Sequence, residues 1–324
     1  MNLQNLKMKV LFVANFRSPH RRAYGIYHGL RKQAEVKRFC IYSDGADAKL
    51  RRLMNQWHPD LLLFSNSIIN RSKLDRAFGV VSLIDQARSM GIYTSCWICD
   101  LVWTGIFAAR VRAANAFLPL IDFVFSVDGG NSKNWKKLGV KRVVLRQGID
   151  DNEHIQLKPN PSIPVIDVSF IGSTYTKYRK QLVAKLQERY GKGFRPIGCC
   201  GQPRLWGRRL TEVMPNLNVV VGDSFPADRC WSNRVYEVTG RGGFFIHPHT
   251  KGMNAEFGDK KHVVYYERGN FKQLFNLIDY YLDHADERER IRQAGFKNCA
   301  TYSDRAREMI QVLNNRVQGI ASHY

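Results

Sequence analysis

The stretch WSNRVYEVTGRGGFFIHP, residues 231–248, sets polar residues and Arg234 ahead of Tyr236-Glu237, then a glycine cluster, then the apolar run Phe244-Phe245-Ile246. Its spacing predicts a short helix over 233–238 that carries Arg234 and Glu237 one turn apart and stops at glycines. A buried strand over 243–246 follows. Two readings of the charged pair stand open. It is an ordinary i,i+3 ion pair, or it presents a cation and a carboxylate to one ligand. Glycines at 240, 242 and 243 allow a sharp turn and a close approach of backbone to such a ligand.

Working outward, apolar runs alternate with amphipathic stretches along the whole chain. Strands are expected over 10–14, 37–42, 61–64, 93–98, 123–127 and 143–145, with helices near 22–34, 46–57, 74–90, 106–117 and 132–138. The segment DDNEHIQLKPNPSIP, with three prolines and no periodicity, reads as a linker at 151–163. Strands then recur over 165–171, 195–199, 217–221, 243–246 and 262–265. Helices are expected over 178–190, 233–238, 271–282, 286–299 and 304–315. The fold class is therefore α/β: two Rossmann-like doubly wound domains, 1–150 and 164–324, facing a cleft. The closing helices are assigned to the second domain.

A chain of 324 residues exceeds what one core usually supports, and its 44% hydrophobic and 12% aromatic content suits a folded protein. No stretch approaches the ~20 apolar residues needed to cross a bilayer. The first residues lack the apolar core of a signal peptide. Seven cysteines at irregular spacing fit reduced thiols, so a cytoplasmic location is expected. Charge is the strongest compositional signal: 50 Lys and Arg against 28 Asp and Glu give +22. Residues 1–150 hold 24 basic against 10 acidic side chains, and the remainder 26 against 18. Such a field attracts polyanions, with nucleic acid the leading candidate.

Three motifs occurring in order carry a resemblance. DVSFIGSTYTKYR (167–179) is a strand, a Gly-Ser turn and a basic residue; SNRVYEVTGRGGFFI (232–246) is an Arg-x-x-Glu helix and strand; FGDKKHVVYYERGNF (257–271) is a strand and polar turn before closing helices. Over roughly residues 165–312 the chain resembles the donor-binding half of GT-B glycosyltransferases, in particular the CgeB-like, spore-coat branch. It is also similar in plan to bacteriophage DNA glycosyltransferases. The resemblance implies transfer of a sugar from a nucleotide-sugar, UDP favoured as the nucleotide. Glu237 takes the ribose hydroxyls and Arg234 the diphosphate. Gly172 and Ser173 sit where free N–H groups suit phosphate. Lys177, Arg179, Tyr236, Gly240, His247 and His249 complete the expected donor site. Larger retaining families carry a second glutamate eight positions before the ribose glutamate. Here that position is Arg229, so stereochemistry is not implied.

The first half supplies the candidates for acceptor chemistry. A base for the attacking hydroxyl is expected at a strand end: Asp100 after 93–98, with Asp128 after 123–127 second and equally a cap before Gly129-Gly130. Cys96 and Cys99 lie inside a strand without a second pair, and no metal or other cofactor is expected. Basic and aromatic clusters suited to nucleic acid are Arg17, His20, Arg21 and Arg22 after the first strand, Arg51-Arg52, and Arg204, Trp206, Arg208 and Arg209. The leading expectation is a glycosyltransferase whose acceptor is a hydroxylated or hydroxymethylated pyrimidine in double-stranded DNA. The alternatives are a transferase acting on polysaccharide, lipid or protein, and a nucleic-acid-binding protein without catalysis.

Overall fold

The computed structural model describes residues 7–18, 22–65, 79–103, 108–140 and 142–317. The chain divides into two compact units, Met1–Asp151 with Tyr302–Tyr324, and Asn152–Thr301. The first holds a six-stranded, wholly parallel sheet in the order β2-β1-β3-β4-β5-β6. Its strands are β1 (Lys9–Ala14), β2 (Glu35–Cys40), β3 (Leu61–Phe64), β4 (Tyr93–Ile98), β5 (Phe123–Ser126) and β6 (Arg142–Val144). Val10 pairs with Val36 on one side and Leu61 on the other. Residues 10–14 of β1 and all of β3 are buried on both faces of the sheet, which is why they read as unbroken apolar runs.

Helices α1 (Arg22–Gln33), α2 (Ala46–Trp57), α3 (Val80–Ser89), α4 (Ala108–Phe117) and α5 (Ser132–Leu138) connect these strands. The buried stripe of α2 is Ala46, Leu50 and Met54, an i, i+4, i+8 row facing the sheet. It joins a core of Leu11, Phe64, Ile84, Ile98 and Trp135.

The second unit holds a five-stranded parallel sheet in the order β11-β10-β9-β7-β8. The strands are β7 (Ile166–Ile171), β8 (Phe194–Ile197), β9 (Leu217–Val221), β10 (Phe245–Pro248) and β11 (Val264–Tyr266). The helices are α6 (Lys177–Tyr190), α7 (Gly207–Val213), α8 (Arg234–Thr239), α9 (Phe271–Asp283) and α10 (Ala285–Asn298). Since β7 has β8 on one side and β9 on the other, strand order reverses at β7, the place where open α/β sheets bind ligands.

Two expectations need correction. The closing helix expected over 304–315 forms as α11 (Tyr302–Val317) but belongs to the first unit. It lies against α1, where Gly25 and Gly29 present bare backbone: a Cβ on Gly29 would stand 2.4 Å from the Tyr302 carbonyl oxygen. The residues taken as a linker are fastened to the second unit. Asn160 N–H donates to Asn216 Oδ1 at 3.0 Å, and Asn216 Nδ2 donates to the Asn160 and Ile163 carbonyls. Helix α7 is absent from the expectation, since RRLTEV between a tryptophan and Met-Pro offers too short a stripe to stand out.

Candidate functional site

The turn after β7 is set by Gly172, whose φ of +146° is backbone that a side chain disfavours. Its N–H donates to the Ile197 carbonyl at 2.9 Å, tying the turn to β8. After β8 the chain turns at Gly198 (φ +85°), and a Cβ there would stand 3.2 Å from Arg204 Cγ. These two turns and the N-terminus of α8 line a pocket of about 100 Å³ with Gly172, Ser173, Arg204, Trp206 and Arg234. Arg204 and Trp206, expected on nucleic acid, therefore share a pocket with three expected donor residues. The signal that places them was in the sequence: they follow a strand at its carboxyl end.

Arg234 is the first residue of α8, and its guanidinium makes no hydrogen bond or ion pair with the described residues. Gly172 lets it approach, since a Cβ there would lie 3.5 Å from Arg234 Nη2. Burial lowers the arginine's pKa; Glu237 opposes the shift and Arg179 adds to it. A guanidinium so placed keeps its N–H donors available to an anionic ligand.

Glu237 is held by a different arginine, one that its spacing in the sequence does not single out. Arg241, one turn further on and 1% exposed, donates through Nη1 to the Glu237 carboxylate at 2.6 Å and to its backbone carbonyl at 2.8 Å. Arg241 also donates to Thr211 Oγ1 at 3.1 Å and pairs with Glu153. The carboxylate is thus oriented by a buried fork, leaving about a quarter of the Glu237 side chain exposed. Two of the glycines around it are required by packing. A Cβ on Gly242 would meet Gln156 at 2.8 Å and one on Gly243 would meet Met214 and Val238 at 2.6 Å. Gly240 sits at φ −68°, open to any residue.

Several other expected donor residues are structural here. Arg179 donates through Nε to Asp223 at 2.9 Å, and Arg268 donates to the other oxygen of the same buried carboxylate at 2.9 Å. Arg268 also stacks over Tyr178 at 3.6 Å. Asp223 and Arg268 were not expected; they brace the loops after β9 and β11. Tyr236 is buried, accepts from Trp231 Nε1 and donates to Glu256 at 2.9 Å, so it supports α8 from behind. Lys177 is exposed at the start of α6. His249 is exposed, 3.9 Å from Glu267.

His247 is wholly buried, with Nδ1 donating to the Pro248 carbonyl and Nε2 accepting from Ser224 Oγ, both at 2.8 Å. Burial pushes its pKa down from 6.5 to about 4, so it is neutral and packs in the interior. The unfolded chain therefore takes up this proton first as pH falls. Stability is lost between pH 6.5 and about 4, by about 3 kcal/mol at most. Urea unfolding of His247→Gln is expected to lack that portion of the acid slope. Equal slopes for variant and wild type would show the histidine titrating normally.

In the first unit, Asp100 stands half-buried just past β4, beside Cys99. Arg22 donates to the Cys99 carbonyl at 3.5 Å, and both Arg22 and Asp100 bear on the Cys99 thiol. Burial raises the pKa of the Cys96 thiol in β4 and of the Cys99 thiol just past it, the latter to about 12, which keeps them as inert apolar groups. Asp128 is spent on its own loop and is corrected from candidate base or cap to turn residue, since the N-cap position of α5 is Asn131. Oδ1 accepts from Gly130 N–H at 2.9 Å and Oδ2 from Asn131 Nδ2 at 2.8 Å. Arg51 is also corrected: it clamps α2 to α3 through Asp47, Ser82 and Gln86. Arg52 and Arg209 are exposed, Arg208 pairs with Glu212 at 2.8 Å, and Arg17 lies over Tyr42 at 4.1 Å. His20 and Arg21 lie outside the described residues. Among the described residues no group of three His, Cys, Asp or Glu side chains is arranged to hold a metal, and no helix is long and apolar enough to cross a membrane.

Residues 153–311 match the family model described as "Glycosyl transferase-like". No curated protein sequence matches the chain. Among solved structures, Anabaena HepE in complex with UDP-glucose aligns over 95% of this chain and 100% of its own, at 12% identity and a TM-score of 0.67. Sucrose-phosphate synthase of Thermosynechococcus elongatus aligns over 97% and 100%, at 10% identity and 0.66. A UDP-N-acetylglucosamine 2-epimerase aligns over 98% of both chains, at 11% identity and 0.54. At these identities the likeness establishes a shared fold alone, two parallel-sheet α/β units as in GT-B structures.

Proposed function

We propose, for a chain whose residues 153–311 match a glycosyl transferase-like family model and whose fold is that of GT-B structures, that it moves a sugar from a UDP-sugar onto a hydroxyl of a modified pyrimidine in DNA. The observation that carries the donor half is the guanidinium of Arg234, without a hydrogen bond or ion pair among the described residues, beside the bare backbone of Gly172. The diphosphate sits there, against Arg234 and the Ser173 N–H, the Gly172 N–H being taken by the Ile197 carbonyl. Glu237, held by Arg241, accepts from the ribose hydroxyls. Trp206 and Arg204 wall the same pocket, giving the base an aromatic surface and a cation. Negative charge builds on the departing UDP as the glycosidic bond breaks, and Arg234 stabilises it. Asp100 is assigned the acceptor proton.

The family match favours transfer over the epimerase chemistry that a structural neighbour of the same fold is named for. Net charge of +22 favours a polyanionic acceptor. The test has two arms. UDP at a hundredfold excess over Kd is expected to stabilise the protein by about 2.7 kcal/mol. Incubation with a panel of UDP-sugars and hydroxymethylated duplex DNA is expected to yield glycosylated nucleosides by mass spectrometry. Absence of stabilisation sinks the donor assignment. Stabilisation without any modified nucleoside sinks the acceptor.

A further inference from the structure

Beyond the pocket in the second unit, the first unit carries an ordered array of cations on the flank formed by β2 and α1. Strand β2 is the edge of its sheet, and Lys37 and Arg38 are exposed on it. Arg38 lies within reach of three rings at once: Phe16 at 5.6 Å, Tyr24 at 5.0 Å and Tyr27 at 5.4 Å. Arg31, on α1, lies over the same Tyr27 ring at 5.7 Å. Arg17, following Phe16, lies over Tyr42 at 4.1 Å. The rings brace one another edge-on, with Phe16 to Tyr24 at 5.2 Å and Phe16 to Phe12 at 5.6 Å.

None of these three guanidiniums has a carboxylate partner among the described residues. Three acidic side chains of this unit are engaged elsewhere: Asp150 with His28, Asp151 with Lys32, and Glu35 with Trp57. Charge on an edge strand also guards against edge-to-edge pairing. That purpose needs only charge. It does not need guanidiniums stacked on a braced aromatic pedestal, where less side-chain entropy is lost when they meet an anion.

We propose that Arg17, Arg31 and Arg38 form a phosphate-gripping surface for the DNA acceptor, a claim that rests on the acceptor reading above. The rings lie under the arginines and are not free for nucleobases. Recognition there runs through the phosphodiester backbone, with no base stacking and no sequence preference.

The experiment measures binding of a fluorescein-labelled 20-base-pair duplex across a salt series, for wild type and for the triple variant Arg17→Ala, Arg31→Ala, Arg38→Ala. Each phosphate contact contributes a slope of about 0.9 in log K against log salt. The triple variant is therefore expected to bind more weakly at low salt and to lose between two and three units of slope. A second duplex of unrelated sequence is expected to behave alike, and the UDP-induced thermal shift is expected to be unchanged. Wild type and variant binding duplex with equal slopes would overturn this surface and leave the DNA acceptor standing. Wild type failing to bind duplex would overturn both. Binding of phosphatidylserine vesicles, with no binding of duplex, would reassign the surface to membrane.

Discussion

Arg234→Met is expected to lower kcat/KM for the sugar donor by about 30- to 1,000-fold, corresponding to about 2–4 kcal/mol for a charge-assisted hydrogen bond to the diphosphate in a desolvated pocket. The ligand-free protein is expected to be as stable as wild type or slightly more so. The guanidinium makes no hydrogen bond or ion pair with the described residues, and burial already lowers its pKa. Removing it relieves a desolvation cost and breaks no bond. The diagnostic is the combination: undiminished thermal stability without ligand, together with loss of the UDP-induced shift. A variant destabilised by more than about 2 kcal/mol in the absence of ligand would show instead that Arg234 is a structural cation. Arg234→Lys keeps the charge but not the forked geometry, and intermediate activity is expected.

Gly29→Ala is expected to be among the most damaging single-methyl additions in the first unit. The added Cβ would stand 2.4 Å from the Tyr302 carbonyl oxygen, 2.5 Å from its carbon and 2.8 Å from Ser303 N, all backbone atoms that cannot rotate away. Helices α1 and α11 must separate, at about 2–4 kcal/mol, counting both the overpacking and the apolar surface uncovered as the helices part. For a unit of this size that lowers the unfolding midpoint by about 5–15 °C. Gly258→Ala, whose Cβ meets nothing nearer than 3.5 Å, is the control and should be nearly neutral. Hydrogen exchange of the α11 amides locates the effect. Full protection there in Gly29→Ala would mean that the two helices part more cheaply than their geometry implies.

The parallel strands were legible because strands covered on both faces are mostly apolar: 61–64 is apolar throughout, 93–98 and 217–221 largely so, and all three were placed to the residue. The short helix at Arg234 was legible for a different reason, its turn-spaced charges and glycine stop. What the sequence concealed was partner choice. Arg234 and Arg241 are both within one turn of Glu237, and spacing alone cannot say which guanidinium the carboxylate takes. The fold decides it by burying Arg241 against Thr211 and Glu153 and leaving Arg234 facing the Gly172 turn. Ownership of the last helix was hidden for a similar reason. Its apolar stripe states that it packs, while the bare backbone of Gly25 and Gly29, at the far end of the chain, states where.

That last helix has a consequence for synthesis. The unit begun first is completed last: its α1 groove lies open until Tyr302–Val317 has been made, after the whole of Asn152–Thr301. Maturation on the ribosome should therefore run inside out, the continuous inner unit closing while the outer one waits for its final strap. A nascent chain stalled before residue 302 would expose Gly25, Gly29 and their apolar surroundings, giving chaperones a defined place to hold.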